Sequence, residues 1–95
     1  MKSSTDYDKA IEITGAVVND WDPYSLLANG APAGEFDNEI ARLVVYIPKI
    51  ADTSDAVRAL SVVFSEAFEP KLFTPESCSE AGESWFKALS QAGLV

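Results

Sequence analysis

Histidine is missing altogether from this 95-residue chain, and cysteine occurs once, at Cys78. Zinc wants three or four nitrogen or sulfur donors, so composition argues against a structural or catalytic zinc site, and no cofactor is expected. One thiol closes no intramolecular disulfide, and nothing points to an oxidising compartment. Without histidine there is no pattern pairing a nucleophile with its base, so an enzyme is the least favoured class. Long hydrophobic runs are also missing. The longest, Leu43 to Ile47, falls far short of a membrane span, and Met1-Lys2-Ser3-Ser4-Thr5-Asp6 lacks the apolar core of a signal peptide. The expectation is a soluble, cytoplasmic protein that does not enter a membrane.

Positive charge is scarce as well. Seven Lys and Arg stand against 15 Asp and Glu, giving a net charge of −8 and a pI near 4.2. Phosphates demand Lys and Arg, so direct binding to nucleic acid or to an anionic membrane surface is disfavoured. The balance favours a basic protein partner, or solubility alone. What is present in quantity is apolar: 47% of residues, with 11% aromatic, is a globular composition. A chain of this length makes one domain, residues 1–95, and buries roughly two-thirds of its unfolded surface.

Apolar spacing argues for helices throughout. Tyr7, Ile11, Thr14, Val18 and Trp21 recur every three or four residues, widened by Ile13 and Val17, which predicts an amphipathic helix from Asp6 to Asp20 capped by Thr5. Gly15 inside it points to a close neighbour. Asp22-Pro23 is a cap-then-proline start for a short helix to Ala28, which Asn29-Gly30 ends before the turn-forming Ala31-Pro32-Ala33-Gly34. Asp37 is the expected N-cap of a third helix carrying Ile40, Leu43, Val44, Ile47 and Ile50, which Pro48 must kink or end near Tyr46 or Ile47. Thr53 or Ser54 starts a fourth, carrying Val57, Leu60, Val63, Phe64 and Phe68 and closed by Glu69-Pro70. Thr74-Pro75-Glu76 starts the last, with Cys78, Ala81, Trp85, Leu89 and Ala92 on one face, Gly82 beside it and Gly93 at its end. The expected fold is all-α: a compact bundle of about four main helices plus one short helix after the Trp21-Asp22-Pro23 corner.

Special chemistry concentrates between Asp20 and Glu39. Asp20, Asp22, Glu35, Asp37 and Glu39 could form a general-acid/base pair or a calcium loop. Helix starts lower carboxylate pKa values, however, and the calcium-loop pattern of a central glycine and a terminal glutamate is missing. Capping better explains Asp22 and Asp37. Trp21 and Phe36 read as core, while Tyr24, among small and polar neighbours, reads as an interface anchor as readily as core. Cys78 reads as a buried, inert thiol. Gly30 and Gly34 make no phosphate cradle, because acidic residues surround them.

Trp21-Asp22-Pro23, then Leu26-Leu27, Gly30, Pro32, Glu35-Phe36 and Glu39 leading into an apolar helix, resembles a small all-helical bacterial family of unknown function. The likeness spans roughly Tyr7 to Phe68, with Trp85 and Leu89 similar to that family's last helix. Ala33-Gly34 and Pro48 depart from its pattern. The resemblance implies a fold and no activity, and it permits a role as an immunity partner of a bacterial toxin.

The leading functional expectation is an immunity protein that neutralises a basic toxin, such as a nuclease of contact-dependent growth inhibition, by occluding its cationic cleft. Asp20, Tyr24, Glu35, Asp37 and Glu39 are the candidate binding residues, with Asp55, Glu66, Glu76, Glu80 and Glu83 as another acidic surface. The rivals are a non-enzymatic interaction module and an acidic DNA mimic.

Overall fold

A computed structural model describes residues 4–22, 30, 34, 36–68 and 73–95. It contains four α-helices: α1 (Ser4–Trp21), α2 (Asp37–Tyr46), α3 (Thr53–Ala67) and α4 (Ser79–Gln91), with a 3₁₀ turn at Ile47–Lys49. There is no strand among the described residues, so the fold is the expected all-α bundle. The short helix expected over residues 23–28 lies outside the described residues.

The helices pack in a ring: α1 on α2, α2 on α3, α3 on α4, and α4 back on α1. Pairs across the α2–α3 seam run in opposite sequence order. Arg42 meets Glu66, while Tyr46 and Lys49 share a cleft with Arg58 and Val62, so the two helices are antiparallel. The α1–α4 seam is antiparallel too, with Thr14 bonded to Trp85 and Asp20 beside Glu80. The radius of gyration is 12.5 Å, near the roughly 13 Å of a compact chain of about 100 residues.

Each helix end has a local cause. Asp52 accepts from the Asp55 N–H at 2.9 Å, the N-cap bond that starts α3 at Thr53. Asp55 in turn accepts from the Ala51 N–H at 3.0 Å. Pro48 has no N–H and would clash with the Val44 carbonyl, so the chain tightens: the Ile47 N–H bonds Val44 O and the Ile50 N–H bonds Ile47 O. At the end of α4 the Gly93 N–H bonds Ser90 O and the Leu94 N–H bonds Leu89 O, with Gly93 at φ 75°. This is the left-handed helix stop that glycine takes without strain.

Three boundaries differ from expectation. α1 begins at Ser4, which places Thr5 inside the first turn rather than at the cap. α2 begins at Asp37 itself: Phe36 is the N-cap, with φ −104°, and supplies no side-chain cap. A fully buried Phe36 fixes the chain's entry into α2, so packing rather than a capping carboxylate sets that start. Thr74 does cap a turn, accepting from the Ser77 N–H at 3.2 Å, but the pattern slips to Ser79 N–H on Glu76 O, and α4 proper starts at Ser79, four residues later than the Thr74-Pro75 signal places it.

The core gathers around large side chains with almost no solvent access, among them Trp85, Phe36, Phe64, Leu43, Ile47 and Leu60. α1 faces it with Ala10, Thr14 and Val18, while Tyr7 is 46% exposed. The buried stripe is therefore rotated from the one that the larger side chains mark. Small Ala10 lets the neighbouring helices approach, whereas Tyr7 lies at the stripe's edge. An aromatic cluster closes one part of the core, with Trp21 edge-on to Phe64 (5.0 Å) and Phe73 (5.9 Å) and Phe64 stacked on Phe68 (5.8 Å).

Gly82 marks a close helix approach. A Cβ there would lie 2.5 Å from Val57 Cγ2 and 2.8 Å from Val57 Cα, so α4 meets the backbone of α3 at a point only glycine permits. Gly15 is roomier, its notional Cβ being 3.7 Å from Ile40 Cδ1.

Candidate functional site

The three described candidate residues, Asp20, Asp37 and Glu39, do not form one surface. Tyr24 and Glu35 lie outside the described residues. Asp37 is exposed in the first turn of α2, and its carboxylate leans over Gly34, with Oδ2 3.0 Å from where a Cβ would stand. Glu39 is buried, with 8% of its surface exposed, which corrects its expected place on an open acidic face. It follows Phe36 by three positions on the inward-facing side of α2, beside Ile40, and so shares that residue's fate. An electrostatic docking surface needs accessible charge, and Glu39 does not offer it.

Asp20 is exposed and sits elsewhere. With Trp21 it borders a groove of about 290 Å³ between the end of α1 and the start of α4, completed by Ser77, Glu80, Ala81 and Ser84. The antiparallel α1–α4 seam makes this pairing: it brings the last turn of α1 against the first turn of α4. The acidic surface expected on the last two helices also divides. Asp55 is held by the Ala51 N–H and by Arg58 at 3.4 Å, and Glu66 is paired with Arg42. Both belong to the α2–α3 side. Glu76, Glu80 and Glu83 remain exposed at the α4 end, next to Asp20's groove.

Helix electrostatics separate the two sides of that groove. Glu80 lies in the first turn of α4, where the positive end of the helix dipole favours a carboxylate. Asp20 lies in the last turn of α1, where the negative end disfavours one. All four helices carry an acidic residue in the first turn and none carries a basic residue in the last. Asp22 ends α1 with φ 45°, its N–H bonded to Val18 O at 2.9 Å. Asp22 therefore terminates one helix, and the helix it was expected to cap lies outside the described residues.

No sequence pattern singled out Asn19. Its Oδ1 is sealed from solvent and accepts no hydrogen bond from the described residues, within the last turn of α1. Periodicity marks which residues are buried and says nothing of which polar atoms find partners there.

Among the described residues no group of three or more His, Cys, Asp or Glu side chains converges as metal ligands would. Cys78 is fully buried, and burial pushes its thiol pKa up, against a smaller lowering by the Ser77 side chain. Such a thiol is mostly protonated at neutral pH and shielded from reagents. No helix among the described residues is long and apolar enough to cross a membrane.

Set against known protein families, curated proteins and solved structures, the chain matches none.

Proposed function

We propose that this protein acts by binding rather than catalysis, as an immunity-type inhibitor of a basic protein, and that the bound surface is the acidic groove between the end of α1 and the start of α4. One observation carries the reading. Asp20 is exposed at the end of α1, where the dipole disfavours negative charge, and it lines the same groove as a second carboxylate, Glu80. Stability of the fold gives no reason for an acid at that position, whereas attraction of a cationic partner does. The net charge of −8 adds a long-range field that speeds encounter with a basic surface, and Trp21 at the groove wall offers a half-buried aromatic contact.

A toxin nuclease fits this chemistry, because its phosphate-binding cleft is cationic and a small anionic domain can fill it. The test is co-expression with a basic toxin encoded beside this gene. Protection is expected, and it should be lost when Asp20 and Glu80 are both changed to lysine. Full protection by that double variant, with the fold intact by circular dichroism, removes this groove from the interface.

A further inference from the structure

The side of the bundle formed by α2 and α3 has a different character. Arg42, Val45, Tyr46 and Lys49 follow helical spacing along α2 and the 3₁₀ turn, and Asp55, Arg58, Ala59 and Val62 do so along α3. The two stripes enclose a cleft of about 170 Å³ whose apolar walls are Tyr46, Ile50, Ala59 and Val62, with Lys49, Arg58 and Asp55 around them. A second hollow, bounded by Arg42, Val45, Tyr46 and Lys49, continues it across α2. Val45 is 73% exposed and Val62 37%. The packing of α2 on α3 leaves both uncovered.

Cations gather on this face of an anionic chain. Of the described lysines and arginines, Arg42, Lys49 and Arg58 all border it, leaving Lys9 and Lys87 elsewhere. Lys49 pairs with no described carboxylate. Arg42 and Arg58 are held only by ion pairs to Glu66 and Asp55 that are open to water on at least one side. Such pairs are worth about 0–1 kcal/mol, so an incoming carboxylate can replace the resident one at little cost.

We propose that this α2–α3 face docks an acidic peptide segment of a partner protein, one aliphatic side chain entering the cleft and flanking carboxylates meeting Lys49 and Arg58. Charge complementarity selects that occupant. A basic segment would meet three like charges here, Arg42, Lys49 and Arg58, while the two carboxylates of this face, Asp55 and Glu66, are already paired. The chain's overall field is negative, so the attraction is local and acts within a screening length of about 8 Å, with burial of the apolar anchor adding to it. This surface is separate from the groove at Asp20, and either can fail without the other.

The test uses the full chain, isotope-labelled for amide NMR, and a synthetic peptide carrying one leucine between glutamate pairs in an alanine background. Control peptides replace the glutamates with lysine or the leucine with alanine. The acidic leucine peptide should shift the amide resonances of Tyr46, Lys49, Ile50, Ala59 and Val62. Both controls should bind about tenfold more weakly or worse, and Lys49→Glu and Val62→Ser should each weaken the acidic peptide by about tenfold. Lys49 is exposed, so its variant keeps the fold even where Val62→Ser loosens it. Absence of shifts, shifts mapping to another face, or equal binding by the lysine peptide overturns the proposal. So does sedimentation with phosphatidylserine vesicles that depends on Lys49 in a protein that ignores the peptide, which would assign the face to lipid.

Discussion

The indole Nε1–H of Trp85 donates a 2.9 Å hydrogen bond to Thr14 Oγ1, and neither residue has solvent access. This bond joins α4 to α1 across 71 residues of sequence. A buried indole N–H without a partner is costly, so the threonine on an otherwise apolar stripe has a defined task. By fixing how α4 lies on α1, the pair also sets the groove that Asp20 and Glu80 line.

Thr14→Val keeps the shape and removes the acceptor, so it should destabilise by about 1–3 kcal/mol, the cost of leaving the indole N–H buried and unpaired. Trp85→Ala should cost about 3–5 kcal/mol. Urea unfolding measures both. A neutral Thr14→Val would mean that the hydrogen bond adds nothing to the α1–α4 contact.

The two helical glycines should respond in opposite directions to alanine. Gly15→Ala places its methyl at ordinary contact distance from Ile40 and gains helix propensity, so it should stabilise by up to about 1 kcal/mol. Gly82→Ala drives a methyl into the Val57 backbone, which no rotamer change relieves, and should destabilise by about 1–3 kcal/mol net. Thermal melts of the two variants read the contrast directly.

Trp21 is half-buried at the groove wall, with edge contacts to Phe64 and Phe73. Trp21→Ala should therefore cost about 2–3 kcal/mol, less than the about 3–5 kcal/mol of a fully enclosed ring such as Trp85. Equal losses for the two tryptophans by chemical denaturation would place Trp21 deeper than its exposure indicates.

The helices were legible in sequence because caps, prolines and apolar spacing agreed: Pro48 tightens the chain where expected, Thr53 opens α3, Gly93 ends α4, and Gly82 marks the tight crossing. Two of the three misplaced starts share a feature: the residue before α2, Phe36, and the residue before α4, Cys78, are buried and supply no side-chain cap, whereas the expected caps, Asp37 and Thr74, lie one residue after and four residues before them. The candidate site was less legible, since Asp20 and Glu80 are 60 positions apart and meet only through the α1–α4 pairing. Spacing along α2 put Glu39 on the inward side all the same, and counting three residues from Phe36 would have shown it.

Cys78 supplies a pH signature. Burial raises its thiol pKa above the ordinary 9.0. Below that value both folded and unfolded chains hold the proton and stability is unaffected. As pH rises beyond it the unfolded chain ionises first, so stability should fall between 9.0 and the raised folded value. Cys78→Ala should remove this alkaline decline, and labelling of Cys78 by a thiol reagent near neutral pH should track unfolding. Rapid stoichiometric labelling of the native protein would contradict the burial.

The last prediction separates charge kept for binding from charge kept for folding at the α1–α4 groove. Asp20→Asn removes an anion from the negative end of α1 and from beside Glu80, so it should stabilise the fold, by about 0.3–1 kcal/mol at low ionic strength. Glu80→Gln removes an anion from the positive end of α4 and should destabilise by a similar amount. Partner binding should respond differently: both changes should slow association with a basic partner and flatten its salt dependence, because each removes one attracting charge. Paired thermal melts and stopped-flow association at low and physiological salt test the two halves separately. If Asp20→Asn stabilises the fold and leaves association unchanged, the acid at position 20 serves neither purpose and the groove loses its claim. If both variants slow association while their stabilities move in opposite directions, charge in this groove is retained at Asp20 against the preference of the helix that carries it.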